Sequence, residues 1–138
     1  NNEKLQRNFK ICVSSLISMT SQSLIIRIAG DKSSFRIAEE ILHSFHIDDT
    51  IQIIHHDKTK IPASVFETVS NIHEQLSSEA HHFSDPMFYI SLVIHRIIPQ
   101  NVTSLILLDV DLIFKSDIID LFLLLNNFDN DQMIGIAR

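Results

Sequence analysis

Val102–Phe122 reads V-T-S-L-I-L-L-D-V-D-L-I-F-K-S-D-I-I-D-L-F, and this stretch decides the fold. Ser104–Leu108 (SLILL) is a short, continuous apolar run and reads as a buried strand. It runs into Asp109-Val110-Asp111, two carboxylates separated by one residue. Beyond them, Ile118, Leu121, Phe122 and Leu125 recur at helical spacing, with Ser116 or Asp117 as the capping residue. A strand that delivers acidic residues to its carboxyl end and then turns into a helix is an α/β pattern.

The same alternation extends towards the amino end. Leu5, Phe9, Cys12, Val13, Leu16 and Ile17 form one face of a first helix. Ser23–Ala29 (SLIIRIA) reads as a buried strand ending at Gly30. Asp31, Ser33 and Ser34 can cap a second helix carried by Phe35, Ala38, Ile41, Leu42 and Phe45. Thr50–His55 (TIQIIH) is the next strand, and Val65, Phe66, Val69, Ile72 and Leu76 mark a third helix. Phe88, Leu92, Val93 and Ile97 mark a fourth, with Pro86 in its first turn and Pro99 just past its end. Gln132–Ala137 closes the chain as a final strand. Strands separated by helices require crossover connections, so a mainly parallel sheet flanked by helices is expected.

Composition narrows the function. With 138 residues, 45% of them apolar, the chain suits one domain with a real core rather than a disordered segment. One Cys excludes an internal disulfide. No apolar run approaches the roughly 18 residues of a membrane span. The net charge of −6 gives no electrostatic reason to bind nucleic acid. With Gly30 and Gly135 as the two glycines, neither a dinucleotide fingerprint nor a P-loop can be written. No internal repeat, low-complexity tract or linker interrupts the chain. Residues 1–138 therefore read as part of a single domain, incomplete at both ends, because the chain opens in a helix and closes in a strand.

Asp109 and Asp111 are the candidate site. Side chains two apart on a strand share a side, and ligands in open α/β sheets bind beyond the carboxyl ends of strands. Two close carboxylates repel unless a cation lies between them. Hard oxygen donors suit Mg²⁺ or Mn²⁺, which complete their shells with water and phosphate oxygens. Spacing alone is weak: eleven Asp give about 0.9 Asp-x-Asp triplets by chance, and the chain contains two. The second, Asp129-Asn130-Asp131, follows no apolar run and reads as a loop. The eight His are scattered and lack a tetrahedral ligand spacing. Cys12 reads as a small buried hydrophobe. Asn101-Val102-Thr103 is a glycosylation sequon of the kind expected about once by chance.

The whole block of strand, Asp-x-Asp and Asp117-Ile118-Ile119-Asp120-Leu121-Phe122 resembles glycosyltransferase family 8, retaining enzymes of GT-A (Rossmann-like) fold. Within that family it is similar to the xyloside xylosyltransferase branch. There the preceding helix reads like His82-Phe83-Ser84-Asp85 followed by Phe88, and the close resembles Ile134-Gly135-Ile136-Ala137-Arg138. The likeness is clearest from about His81 to Arg138 and fainter over the first half.

The resemblance implies a nucleotide-sugar-binding half of a transferase domain. Asp109 and Asp111 match the metal-binding pair, holding Mn²⁺ (with Mg²⁺ as the alternative) and through it the diphosphate of a UDP-sugar. Val110 matches the residue whose backbone lies beside the nucleotide sugar. Ser84 and Asp85 match the opening of a helix bordering the donor sugar, although before Pro86 they also read as ordinary capping residues. The implied reaction carries xylose from UDP-xylose to a xylosylated glycan on EGF-like repeats of a glycoprotein acceptor. Its implied place is the endoplasmic reticulum lumen, as a type II membrane protein whose anchor this chain does not contain.

The resemblance also implies departures. The family's nucleobase-binding first strand would precede Asn1. Its Asn-Ser-Gly stretch and metal-completing histidine would follow Arg138. The chain is thus expected to hold about half of a donor site and to be inactive by itself, and no catalytic nucleophile is assigned. Two other readings compete. One is an inactive transferase fragment serving as a binding module. The other is a haloacid-dehalogenase-like phosphatase, which wants Thr where Ile113 stands and places its motif on the first strand.

Overall fold

The computed structural model describes residues 2–45, 49–76 and 93–135. Helix α1 spans Asn2–Met19, a stretch free of Gly and Pro. It buries Cys12, Val13 and Leu16, the one- and four-residue steps of a single helical face. Leu5, expected on the same stripe, is 55% exposed. The helix closes with the Thr20 N–H donating to the Leu16 carbonyl.

Strand β1 (Leu24–Gly30) and strand β2 (Ile51–Asp57) are neighbours in a two-stranded parallel sheet. Helix α2 (Lys32–His43) is the crossover between them. Asp31 caps it, as expected: its Oδ1 accepts from the Ser34 N–H at 2.7 Å and from the Ser33 hydroxyl at 2.6 Å. Ala38 and Leu42, one turn apart, are the buried side chains of α2. Neither strand contains a fully buried residue, and Ile25 is 58% exposed. This corrects the expectation of a buried β1. A strand is buried on both faces only when layers cover both, and the described residues do not cover β1 completely.

After β2, Asp57 accepts from the N–H and hydroxyl of Thr59 and starts a 3-10 turn over Lys58–Lys60. Pro62 then precedes helix α3 (Ala63–Leu76), in agreement with the third apolar stripe. The expected fourth helix lies partly outside the described residues, as do Pro86, Phe88 and Leu92. Its described end, residues 93–96, is a 3-10 turn. Helix α4 (Ile118–Leu123) begins where the sequence places it, with Asp117 rather than Ser116 as its cap. The Asp117 carboxylate accepts from the Ile119 N–H. A 3-10 turn over Leu124–Asn127 continues it.

Two expected strands are not found among the described residues. Residues 102–109 have no regular secondary structure, and Leu107 within them is 59% exposed. Residues 132–135 are also irregular, with Met133 and Ile134 at 89% and 82% exposure, and the rest of that run lies outside the described residues. An apolar run is a strand only when a neighbour completes its ladder. Among the described residues no third strand lies alongside β1 or β2.

The chain forms two compact units. The first comprises Asn1–Ile26, Arg36–Gln52 and Ser104–Arg138, and its buried side chains are Cys12, Val13, Leu16, Ala38, Leu42 and Ile118. The second comprises Arg27–Phe35 and Ile53–Thr103. Its core is Ile61, Val65, Val69 and Val93, with Phe66, Ile72, Ile94 and Ile97 packed against it.

Candidate functional site

Asp109-Val110-Asp111 lies in the first unit. Val110 and Asp111 form a turn; both aspartates are exposed, and Val110 is half-buried between them. Among the described residues neither carboxylate enters an ion pair. The pair therefore presents hard oxygen donors to solvent, the donor chemistry that Mg²⁺ and Mn²⁺ accept. Among the described residues no group of three or more His, Cys, Asp or Glu is placed to hold a metal. Two carboxylates fit such an ion as partial ligands, with the remaining positions open to water or phosphate.

Helix α1 positions this turn. Its buried Cys12 thiol donates to the Asp109 carbonyl at 3.7 Å. Burial pushes the Cys12 thiol up from its ordinary value. The Leu112 N–H opposes that shift, and the Asp111 charge adds to it. One turn further on, Ser15 makes two bonds. Its hydroxyl donates to the Cys12 carbonyl at 2.9 Å and accepts the Phe114 N–H at 3.0 Å. Past the end of α1, the Ser21 N–H donates to the second Asp117 oxygen at 2.8 Å. The Ser21 side chain first, then the Ile119 N–H of the α4 cap, hold the Asp117 carboxyl below the ordinary carboxylate value, and the Ser21 N–H adds to them. The stretch from 109 to 117 is thus tied to α1 and the residues after it at three points.

Sequence reasoning placed Cys12 in the core, and it is 5% exposed, but its bond to Asp109 was not foreseen. Ser15 was missed altogether. The available signal was a hydroxyl three residues past Cys12 on an otherwise apolar helix face. Ser84 and Asp85 lie outside the described residues, as do His46, His81 and His82. Asp129 accepts the Asp131 N–H at 3.0 Å in a local turn, in keeping with a loop role.

Two described histidines, His55 and His56, serve the second unit. The His55 ring stacks on Phe35 with centroids 4.1 Å apart, and its Nε2 lies 3.1 Å from the Gly30 carbonyl. His56 Nε2 faces Arg27 Nη1 at 3.2 Å, where the neutral ring nitrogen accepts a hydrogen bond from the guanidinium N–H. A cavity lined by Glu3, Lys4, Arg7 and Asn8 follows the first turns of α1 and includes neither aspartate. No helix among the described residues is long and apolar enough to cross a membrane.

The parallel β-α-β unit and its flanking helices have the GT-A-like α/β fold of glycosyltransferases. Comparison with known proteins makes the likeness specific: the chain is similar to xyloside xylosyltransferase 1. It is 27% identical to the mouse enzyme over 145 residues and 26% identical to the human enzyme over the same length. Each match covers 99% of this chain and 37% of the relative. The chain also superposes on the crystal structure of mouse xyloside xylosyltransferase 1 in its apo form, with a TM-score of 0.77 and 26% identity. That match covers 97% of this chain and 47% of the crystallised one. The chain therefore spans a little over a third of the length of the curated relatives it matches. No family model matches it.

Proposed function

We propose that this chain supplies the nucleotide-sugar-binding part of a retaining xylosyltransferase that takes xylose from UDP-xylose. The single observation that carries the reading is the likeness of nearly all of this chain to part of the xyloside xylosyltransferases, in sequence and in fold. The exposed Asp109-Val110-Asp111 turn adds the right donor chemistry. In this reading Asp109 and Asp111 hold Mn²⁺, with Mg²⁺ as the alternative, and Val110 offers its backbone to the sugar nucleotide. A divalent ion there supplies positive charge to a diphosphate and so stabilises UDP as it leaves. The residues of this chain bind and orient: the turn fixes where the diphosphate sits, and α1 keeps the turn in place. Ser84 and Asp85 border the donor sugar in the same proposal.

The acceptor that goes with this reading is a xylosylated glycan on EGF-like repeats. The compartment in this reading is the endoplasmic reticulum lumen, with the whole protein attached to the membrane. The test is UDP-xylose turnover by the whole protein with Mn²⁺, alongside Asp109→Asn and Asp111→Asn. Release of UDP that needs Mn²⁺ and falls by at least about 100-fold in either variant is the expected result. Undiminished turnover in both variants removes the assignment of the site. No turnover by folded whole protein with any UDP-sugar leaves the binding-module reading in its place.

A further inference from the structure

An Asp-x-Asp pair works only in one backbone register. Moving a two-residue spacing along by one exchanges which side chains share a face, and a turn without a ladder has no neighbouring strand to hold it. Among the described residues, 102–109 enter no ladder, and the hydrogen bonds that flank Asp109 and Asp111 come from α1. Cys12 takes the carbonyl of Asp109 itself, and Ser15 takes the N–H of Phe114, three residues beyond Asp111. These contacts bracket the acidic pair. They come from two positions one helical turn apart on α1, which share a face. The Ser15 hydroxyl both donates, to the Cys12 carbonyl, and accepts, from the Phe114 N–H.

We propose that Cys12 and Ser15 are positioning residues for the Asp109-Asp111 cation site, with α1 serving as the rigid template against which the turn is registered. The inference rests on the site reading given above and adds residues to it. Groups that orient metal ligands without touching the ion tune affinity by about 10- to 100-fold. Ser15 is the cleaner probe, because Ser15→Ala orphans the Phe114 N–H while removing a single oxygen.

The experiment is a Mn²⁺ titration of the whole protein with Mn²⁺ alone, read by the electron paramagnetic resonance of the free ion. Amide exchange at Phe114 is measured in parallel. Ser15→Ala should weaken Mn²⁺ binding by about 10-fold and speed exchange at Phe114. Ser15→Thr, which keeps the hydroxyl, should restore both. Cys12→Ala should weaken binding in the same direction, and Asp111→Asn should remove it. Wild-type protein that takes up no Mn²⁺, or an Asp111→Asn variant that binds unchanged, refutes the site reading and this inference with it. Binding that is lost in Asp111→Asn but unaltered in Ser15→Ala and Cys12→Ala refutes this inference alone. Should Ser15→Ala lose its helical circular dichroism, Cys12→Ala, which leaves the hydroxyl in place, decides the matter.

Discussion

Leu42 is completely buried on α2, in the unit that carries the acidic turn, and truncating it tests the packing of that unit. Leu42→Ala removes three carbon groups. At about 0.8 kcal/mol each, the transfer loss is roughly 2.4 kcal/mol. Incomplete collapse of the cavity raises the total into the range of about 2.7–5 kcal/mol measured for buried Leu→Ala changes. An unfolding entropy of about 2.1 cal/mol/K per residue turns a loss of about 3 kcal/mol into a fall in Tm of roughly 10 °C. Ile25 is the internal control. It is equally apolar and lies on β1, but at 58% exposure Ile25→Ala should cost less than about 1 kcal/mol. Thermal unfolding followed by far-ultraviolet circular dichroism measures both. If Leu42→Ala shifts Tm by under about 3 °C, or Ile25→Ala shifts it as much as Leu42→Ala, the burial on which the reasoning rests is wrong.

Two acid-sensitive contacts give further predictions. The folded state depresses the Asp117 carboxyl through Ser21 and the α4 cap. Its stabilisation is therefore present above the ordinary value of 3.8 and is lost as pH falls through the lower folded value. Asp117→Asn should flatten the Tm profile in that acid range. His56 is also held below its ordinary 6.5, first by burial and then by the charges of Arg27 and His55. The unfolded chain therefore binds the proton more readily. The stability drawn from the neutral ring is complete above 6.5 and declines as pH falls through the lower folded value. His56→Gln, which keeps an acceptor for Arg27, should remove that mildly acidic decline in a Tm-against-pH series, and an unchanged slope would count against the Arg27–His56 contact.

What the sequence determined by itself is the set of elements fixed by short-range physics. α1, α2, α3 and α4 follow from apolar spacing, and Asp31 and Asp117 from the need of a helix N-terminus for an acceptor. β1 and β2 follow from apolar runs on either side of the α2 crossover. The α/β class was legible for that reason, and the Asp109-Asp111 pair with it. Tertiary structure decided what depends on partners distant in the chain. Ser104–Leu108 has the composition of a strand, but strand formation requires a ladder neighbour that composition cannot specify. The hold on the acidic turn crosses 97 residues from Cys12 to Asp109 and 99 from Ser15 to Phe114. No local periodicity encodes which N–H a helix hydroxyl will meet across such distances. That depends on how α1 and the turn pack, and the packing made a cysteine and a serine on a helix face the supports of the candidate site.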